Sequence, residues 1–230
     1  EGQADNTIIV VTSDHGDYMG DHWLGEKDLF HDPSVRVPLI IYDPSADADA
    51  TRGTVCDALV ESIDLAAIFV DMVGDVPEHI LEGRTLRPFL QGKTPESWRE
   101  FAVSEYDYSA TSEAKVLGVH PRNARLFMLV DETWKFVFAD GGFRPMLFDL
   151  ANDPNELNDL GDSPDHKCII DLFLGRLSVW ARRPSQRTTV THDYLMNARD
   201  RTPEPVGLFI GVWHEDDKPA EMSAKARGKD

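Results

Sequence analysis

An aspartate and a histidine stand side by side at the end of a strongly strand-forming run. Asp14 supplies a hard oxygen and His15 a borderline nitrogen, so the two could bind one divalent metal ion if Gly16 lets the backbone turn. The β-branched residues 7–12 before them show no polar alternation, which is typical of a strand buried on both faces of a parallel sheet. Ligands bind at the carboxyl ends of such strands. For a bare Asp-His pair, the alternative is an Asx-turn beside a bystander histidine.

Two downstream segments favour the functional interpretation. They are Asp17-Tyr-Met-Gly-Asp-His-Trp-Leu-Gly-Glu-Lys27 and Ser34-Val-Arg-Val-Pro-Leu-Ile-Ile41. Together with Ser13-Asp-His-Gly16 they resemble, over about forty positions, the second half of the sulfatase branch of the alkaline phosphatase superfamily. That branch carries a strand, Ser-Asp-His-Gly, Gly-Asp-His, a lysine and Ser-Val-Arg-Val-Pro-Leu-Ile-Ile in this order. Within the branch, the chain resembles the phosphonate monoester hydrolases most.

The resemblance implies roles for three side chains. Asp14 and His15 become two ligands of a single divalent metal ion, and Lys27 becomes the cation that holds the anionic oxygens and the leaving-group oxygen of the substrate. Cations at these places offset the charge that grows in the transition state of an anionic ester, and a lysine ammonium is a compact point charge. Outside this motif, Lys27 would be read as an ordinary solvated surface lysine.

Other polar residues of the same segment have less defined roles. Asp17 is either a loop-capping carboxylate or a residue that supports the metal ligands from behind, and His22 either reaches the pocket or orients its loop. His31 is expected at a structural or rim position. Arg36 is expected to fix the loop by pairing with a carboxylate.

Composition excludes some partners. The 230 residues carry a formal charge of −18, which argues against nucleic acid, and they contain no apolar run near the roughly 20 residues of a transmembrane helix. Cys56 and Cys168 lie far apart, so a disulfide framework is not expected. A reduced, cytoplasmic location fits this composition best.

The resemblance places the nucleophile elsewhere. In the family it is a formylglycine made from the cysteine of Cys-x-Pro-x-Arg, or occasionally a serine, and it lies in the first half with the remaining metal ligands. Neither Cys56 nor Cys168 is followed by such a motif, and residues 1–6 lead straight into a central strand. We therefore expect this chain to be the carboxyl-terminal half of a longer protein and to be inactive alone.

The pattern predicts an α/β fold in three parts. Residues 1–98 form the second half of an alkaline-phosphatase-like α/β sandwich, 99–181 a small antiparallel sheet with one covering helix, and 182–230 an extended arm. The predicted strands are 7–12, 37–42, 101–106, 124–130, 135–139 and 146–150. A helix capped by Ser62 or Asp64 ends at Gly74, and a second helix covers 169–181.

Two further segments leave alternatives open. The loop 106–121 could lean over the active site, where Tyr106, Tyr108 or His120 would shape substrate choice, or it could be an ordinary connection. The carboxylates Asp149, Asp153 and Glu156 could bind calcium, although turn and capping duties explain them better.

The arm suggests self-association. It has too few apolar residues to fold alone, and similar tails in phosphonate monoester hydrolases wrap a neighbouring subunit. Its apolar anchors are Leu208, Phe209, Ile210, Val212 and Trp213. We therefore predict a homo-oligomer, most simply a tetramer. A self-packed or disordered tail is the alternative.

The sequence thus predicts a metal-dependent hydrolase of small-molecule sulfate esters, phosphonate monoesters or phosphate diesters. Manganese or calcium is expected ahead of magnesium or zinc, because the ligation is oxygen-rich. One alternative is a phosphomonoesterase or phosphotransferase of another alkaline phosphatase branch, which would need a second metal-binding histidine. Another is a non-catalytic oligomerisation module.

Overall fold

The computed structural model describes residues 2–76, 81–183 and 196–197. Its strands are β1 (Ile9–Thr12), β2 (Leu39–Tyr42), β3 (Ala102–Asp107), β4 (Arg125–Val130), β5 (Trp134–Ala139) and β6 (Met146–Asp149). Its α-helices are α1 (Asp32–Val35), α2 (Asp64–Met72), α3 (Arg87–Leu90), α4 (Ser112–Val116) and α5 (Lys167–Trp180). Turns of 3-10 helix lie at Ala4–Asn6, Asp21–Trp23, Ala46–Thr51, Pro121–Asn123 and Pro164–His166.

Strands β1 and β2 form a two-stranded ribbon. They pair antiparallel, with Ile9 opposite Tyr42 and Thr12 opposite Leu39. The prediction of a parallel strand buried on both faces is wrong for these residues, because the segment 13–38 returns the chain beside β1 in the opposite direction. The ribbon exposes apolar side chains, and Ile40 is 63% exposed.

The carboxyl-terminal sheet follows the sequence prediction closely. Its strands lie in the order β3-β4-β5-β6, and every neighbouring pair is antiparallel. Gly141 and Gly142, with φ of +93° and +86°, turn the chain between β5 and β6. The mixed α/β class, with an antiparallel subdomain sheet and a covering helix, is therefore confirmed.

Both faces of this sheet are apolar. Because side chains alternate along a strand, Phe127, Leu129 and Phe136 point to one face and pack with Phe173 and Leu177 of α5. Residues between them in sequence point to the other face, where Met128 and Val137 pack with Phe30 and Val35. The segment around α1 is thus the second covering layer of the sheet.

A buried lysine strengthens this second contact. Lys135 is 1% exposed, and its Nζ lies 2.6 Å from an oxygen of Asp32 and 2.6 Å from one of Glu156. The other Glu156 oxygen accepts a 2.6 Å hydrogen bond from the backbone N–H of Asp32. Burial opposes ionisation of Asp32, but the Lys135 hydrogen bond and charge outweigh it and lower the pKa of Asp32. The cluster fixes the start of α1 on β5.

A second buried ion pair joins α2 to the subdomain. Arg99 binds both carboxylate oxygens of Asp64, which also accepts a 2.7 Å hydrogen bond from the backbone N–H of Arg84. The predicted helix is confirmed, with Gly74 at φ +80° after its end. The predicted cap by Ser62 or Asp64 is wrong, because Ile63 precedes the first turn and the Asp64 carboxylate is committed to Arg99.

The structure describes both of the segments whose roles the sequence leaves open. Residues 106–121 contain α4, Tyr108 is buried in a small cluster with Ala114, and His120 accepts a hydrogen bond from the N–H of Arg122. Asp149 and Asp153 accept backbone hydrogen bonds within their own turn.

The remaining predictions concern the carboxyl-terminal arm and membrane-spanning helices. Most of the predicted arm, including all five of its apolar anchors, lies outside the described residues. Among the helices that are described, none has the length and apolar character to cross a membrane.

Replacing Lys135 by methionine should lower the free energy of unfolding by about 3–5 kcal/mol, because it leaves the buried Glu156 carboxylate and the half-buried Asp32 carboxylate without this cation. Urea unfolding at pH 7 measures this loss. The matched control is Lys167→Met, which removes an exposed pair with Asp171 and should change stability by no more than about 0.5 kcal/mol. Equal losses in the two variants would contradict the role given to Lys135.

Candidate functional site

Three side chains singled out from the sequence come together after β1. Lys27 Nζ lies 2.9 Å from His15 Nε2, and Asp14 Oδ2 lies 3.6 Å from the same nitrogen. Asp14 and Lys27 are exposed to solvent, and His15 is half-buried. The fold therefore places two potential metal ligands and one cation at a single accessible point.

The orientation of His15 follows from its other ring nitrogen. Nδ1 lies 2.6 Å from the carbonyl oxygen of Gly16, so the neutral ring carries its proton there and donates it to that oxygen. Nε2 then accepts a hydrogen bond from the Lys27 ammonium, and the Asp14 carboxylate lies beside the ring. Ser13 secures the turn by donating its hydroxyl to the His15 carbonyl oxygen over 2.6 Å.

Asp14 is held in its charged form. Hydrogen bonding to its own backbone amide, followed by the electrostatic interaction with His15, lowers the pKa of the carboxyl below its ordinary value. The His15 N–H also donates to Asp14 Oδ1 over 3.1 Å. The carboxylate is therefore available to a cation at neutral pH.

The geometry fits two ligands of one ion. At the usual bond lengths of about 2.0–2.6 Å, two neighbouring ligands of one ion lie about 3–4 Å apart, which includes the 3.6 Å between Asp14 Oδ2 and His15 Nε2. Within the described ranges, no group of three His, Cys, Asp or Glu side chains is placed to hold a metal. Further ligands would have to come from outside this group.

Gly16 is needed for close packing. Its N–H donates to the Ser34 carbonyl oxygen over 2.7 Å, and a Cβ at this position would overlap the Pro33 carbonyl oxygen. The φ of Gly16 is not in the left-handed region. Because Gly16 has no side chain, the start of α1 packs directly against its backbone.

The loop between His15 and Lys27 is strained and tied at its base. Met19, His22, Trp23 and Glu26 all have positive φ, a conformation that costs about 1–3 kcal/mol per residue. The N–H of Tyr18 donates to the Glu26 carbonyl oxygen over 2.9 Å and closes the loop. Such strain persists only where surrounding contacts hold it.

Tyr18 and His31 are part of that support. The buried Tyr18 hydroxyl accepts from the N–H of His31 over 3.1 Å and lies 2.8 Å from His31 Nδ1. Burial raises the pKa of Tyr18 to about 12, so the hydroxyl donates to Nδ1. Burial, then the charges of His22 and Lys135, lower the pKa of His31 to about 4. The expected structural position of His31 agrees with these contacts.

His22 lines a cleft beside this support. Its ring stacks on His31 with centroids 4.0 Å apart. The cleft has a volume of about 510 Å³ and lies between this loop, α1 and the turn after β6. Its lining residues are Asp21, His22, Asp32, Pro33, Arg36, Pro154, Asn155, Glu156 and Leu157. Arg36 pairs with Asp32 over 3.2 Å, as expected, and Asp17 accepts from the N–H of Met19 over 2.8 Å.

Sequence reasoning missed Ser34 and left the role of Tyr106 open. Ser34 donates its hydroxyl to the Lys27 carbonyl oxygen over 2.5 Å, and Tyr106 donates to Asp28 over 3.3 Å. Of the residues considered in the loop 106–121, Tyr106 contacts the segment next to Lys27. Ser34 lies in the Ser-Val-Arg-Val-Pro motif, but its pattern gave no sign of which backbone groups it binds.

Gly16→Ala should lower the free energy of unfolding by about 1–3 kcal/mol, because the added Cβ forces α1 away from residue 16. Gly25→Ala is the control from the same loop, since a Cβ there meets nothing within 4 Å. Denaturant unfolding compares the two. A Gly16→Ala variant as stable as Gly25→Ala would contradict this packing.

His31 should make stability depend on pH between about 6.5 and 4. In that window the unfolded chain binds a proton that the folded state excludes, so stability is complete above pH 6.5 and falls as the pH drops. Urea unfolding at pH 7 and pH 5 should therefore show a larger loss for the wild type than for His31→Asn. Equal losses would show that His31 titrates alike in both states.

Comparison with known proteins places the chain in a family. The model of the family described as N-sulphoglucosamine sulphohydrolase, C-terminal, matches residues 20–182. The multifunctional alkaline phosphatase superfamily protein PehA of Trinickia caryophylli is 32% identical over 200 residues, which cover 83% of this chain and 37% of that protein. An arylsulfatase of Clostridium perfringens is 30% identical over 171 residues, covering 74% of this chain and 32% of the enzyme.

A solved structure agrees with these relatives. The phosphonate monoester hydrolase of Silicibacter pomeroyi superposes with a TM-score of 0.73 at 32% identity, covering 84% of this chain and 38% of that one. The chain thus spans about a third of the length of the curated relatives it matches. These matches confirm the resemblance seen in the motifs, and the chain belongs to the N-sulphoglucosamine sulphohydrolase C-terminal family, among relatives that are sulfatases and phosphonate monoester hydrolases.

Proposed function

We propose that the protein is a metal-dependent hydrolase of sulfate esters, phosphonate monoesters or phosphate diesters, and that this chain supplies one half of its active site. The observation that carries the proposal is the convergence of Asp14 and Lys27 on His15, whose Nε2 lies 3.6 Å from Asp14 Oδ2 and 2.9 Å from Lys27 Nζ. The family supports the reaction class. We place the nucleophile, a formylglycine, and the remaining metal ligands in a part of the protein outside this chain.

Asp14 Oδ2 and His15 Nε2 would hold the metal ion. When bound, a divalent ion, manganese or calcium in our proposal, supplies positive charge that favours an ionised nucleophile and polarises the ester. The hydrogen bond from His15 Nδ1 to the Gly16 carbonyl keeps Nε2 free of a proton for this role.

Lys27 acts on the substrate. Its ammonium group has three donors and lies at the solvent-exposed edge of the site, 2.9 Å from His15. There it can donate to an anionic oxygen of the ester and to the leaving oxygen as the bond to sulfur or phosphorus breaks. Charge then grows on the leaving oxygen, so a fixed cation lowers the barrier more than it strengthens binding.

The alternatives have less support in the geometry. A two-metal phosphomonoesterase needs a further histidine ligand, and among the described residues the neighbouring His31 and His22 rings contact Tyr18 and each other. A non-catalytic module gives no reason for an exposed lysine to converge on a paired carboxylate and imidazole. Neither alternative is favoured by a contact of its own.

The full-length protein should hydrolyse 4-nitrophenyl sulfate, 4-nitrophenyl phenylphosphonate or both, and should lose this activity on dialysis against a chelator. Lys27→Ala and Asp14→Asn should each lower kcat by at least about 100-fold, equivalent to about 2.7 kcal/mol of transition-state stabilisation. Paired assays of the two esters measure the effect and decide between the substrates.

Lys93→Ala is the matched control for Lys27. Lys93 is also an exposed lysine, and its ammonium donates a 2.8 Å hydrogen bond to the Gln91 side chain after α3. Its replacement should leave both rates unchanged. A Lys27→Ala variant as active as Lys93→Ala would refute the role of Lys27, and a full-length protein inactive on both esters would refute the proposed reaction.

We also propose that the chain has three structural parts, a cytoplasmic location and a homo-oligomeric state formed through residues 182–230. The support for the oligomer is the apolar residues of that segment. Light scattering should give a tetramer for the full-length protein and a smaller species after truncation at residue 183. An unchanged mass would refute the arm's role.

A further inference from the structure

One residue, Ser34, contacts both segments of the proposed site through its backbone carbonyl and its hydroxyl. The Ser34 carbonyl oxygen accepts from the N–H of Gly16 over 2.7 Å, directly after the metal ligand His15. The Ser34 hydroxyl donates to the carbonyl oxygen of Lys27 over 2.5 Å. Ser34 is only 2% exposed, so neither bond competes with solvent. A single residue therefore joins the backbone next to His15 to the backbone of Lys27.

The hydroxyl of Ser34 bonds directly to the backbone of Lys27. The strained loop 18–26 before it is closed by the bond from Tyr18 to Glu26, which stops one residue short of Lys27. The Lys27 side chain is long and flexible, so its reach depends on where its backbone is held. The Ser34 hydroxyl sets that starting point.

Ser34 is itself rigidly placed. Its N–H donates to the His31 carbonyl oxygen over 2.9 Å, within the turn that opens α1. The start of α1 is fixed on β5 by the Lys135 ion pairs with Asp32 and Glu156. Ser34 therefore connects the positions of His15 and Lys27 to the buried face of the carboxyl-terminal sheet.

We propose that Ser34 is a positioning residue that sets the separation between His15 and Lys27. It does not touch the reacting atoms and acts through Lys27. The proposal rests on the hydrolase function for its catalytic consequence, because only then does the place of Lys27 control a rate. Its structural part, the restraint of Lys27, stands independently and can be measured without any substrate.

Ser34→Ala removes the hydroxyl and keeps the backbone bond to Gly16. In the full-length protein it should lower kcat about tenfold, the effect of losing one buried hydrogen bond, while KM changes less than twofold. The loss should grow with the pKa of the leaving group, from 4-nitrophenol to phenol, because a displaced Lys27 offsets less charge on the leaving oxygen. Ser34→Thr keeps the hydroxyl and should recover most of the rate.

Ser109→Ala is the matched control. Ser109 is 1% exposed and follows β3, where its N–H binds Asp107. Its replacement also removes a buried hydroxyl, so it reports on general destabilisation, which unfolding measurements on each variant quantify. Ser109→Ala should leave kcat and its dependence on the leaving group unchanged. An equal effect of both variants on kcat would overturn the proposal.

A double variant tests whether Ser34 acts through Lys27. In a Lys27→Ala background, Ser34→Ala should cause no further loss of the residual rate on 4-nitrophenyl esters. A second tenfold loss would show an independent effect and would overturn the proposal.

An assay without substrate separates this proposal from the proposed function. Acetic anhydride labels lysines, and mass spectrometry compares Lys27 with Lys93 in the same sample. In the protein freed of metal by a chelator, the hydrogen bond to His15 should slow labelling of Lys27, and Ser34→Ala should speed it severalfold while Ser109→Ala does not. An unchanged ratio in Ser34→Ala overturns the proposal even if the enzyme is active. A wild type that is inactive on both esters refutes the function but leaves this readout decisive.

Discussion

The buried ion pairs of Lys135 are the constraint on which the site depends. A lysine that is 1% exposed requires partners, and it finds them in Asp32 of the site segment and Glu156 of the turn after β6. A buried charge cannot slide without exposing an unpaired carboxylate, so the start of α1 has one favourable position on the sheet. The residues that bind α1 are therefore positioned relative to the sheet.

The segment around α1 therefore has two duties. Phe30 and Val35 cover the face of the sheet that α5 leaves open, and Ser34 holds the backbones of Gly16 and Lys27. Packing and chemistry are carried by the same few residues.

Much of this arrangement could be predicted from the sequence. Short strand-like runs separated by turn residues gave the four strands of the sheet, the helical period gave α2 and α5, and the motifs shared with the sulfatases gave Asp14, His15 and Lys27. These features depend on short-range patterns. The apolar run Leu126–Val130 also carried a signal that went unused, because a strand apolar at every position is buried on both faces.

Other features depend on long-range pairing and could not be predicted in this way. Lys135 looks like any lysine at a strand start until Asp32, 103 residues earlier in the chain, is placed beside it. Asp64 looks like a helix cap until Arg99 is brought to it. The antiparallel pairing of β1 with β2 was missed for a similar reason, because a buried strand pattern does not give the direction of the neighbouring strand.

The most direct test of the central claim is anomalous diffraction from crystals of the full-length protein grown with manganese and a sulfate or phosphonate product. We expect one anomalous peak bonded to Asp14 Oδ2 and His15 Nε2, with Lys27 Nζ within hydrogen-bonding distance of the anion. A metal bound elsewhere, or an anion that Lys27 does not contact, would contradict the assignment of these three residues to the active site.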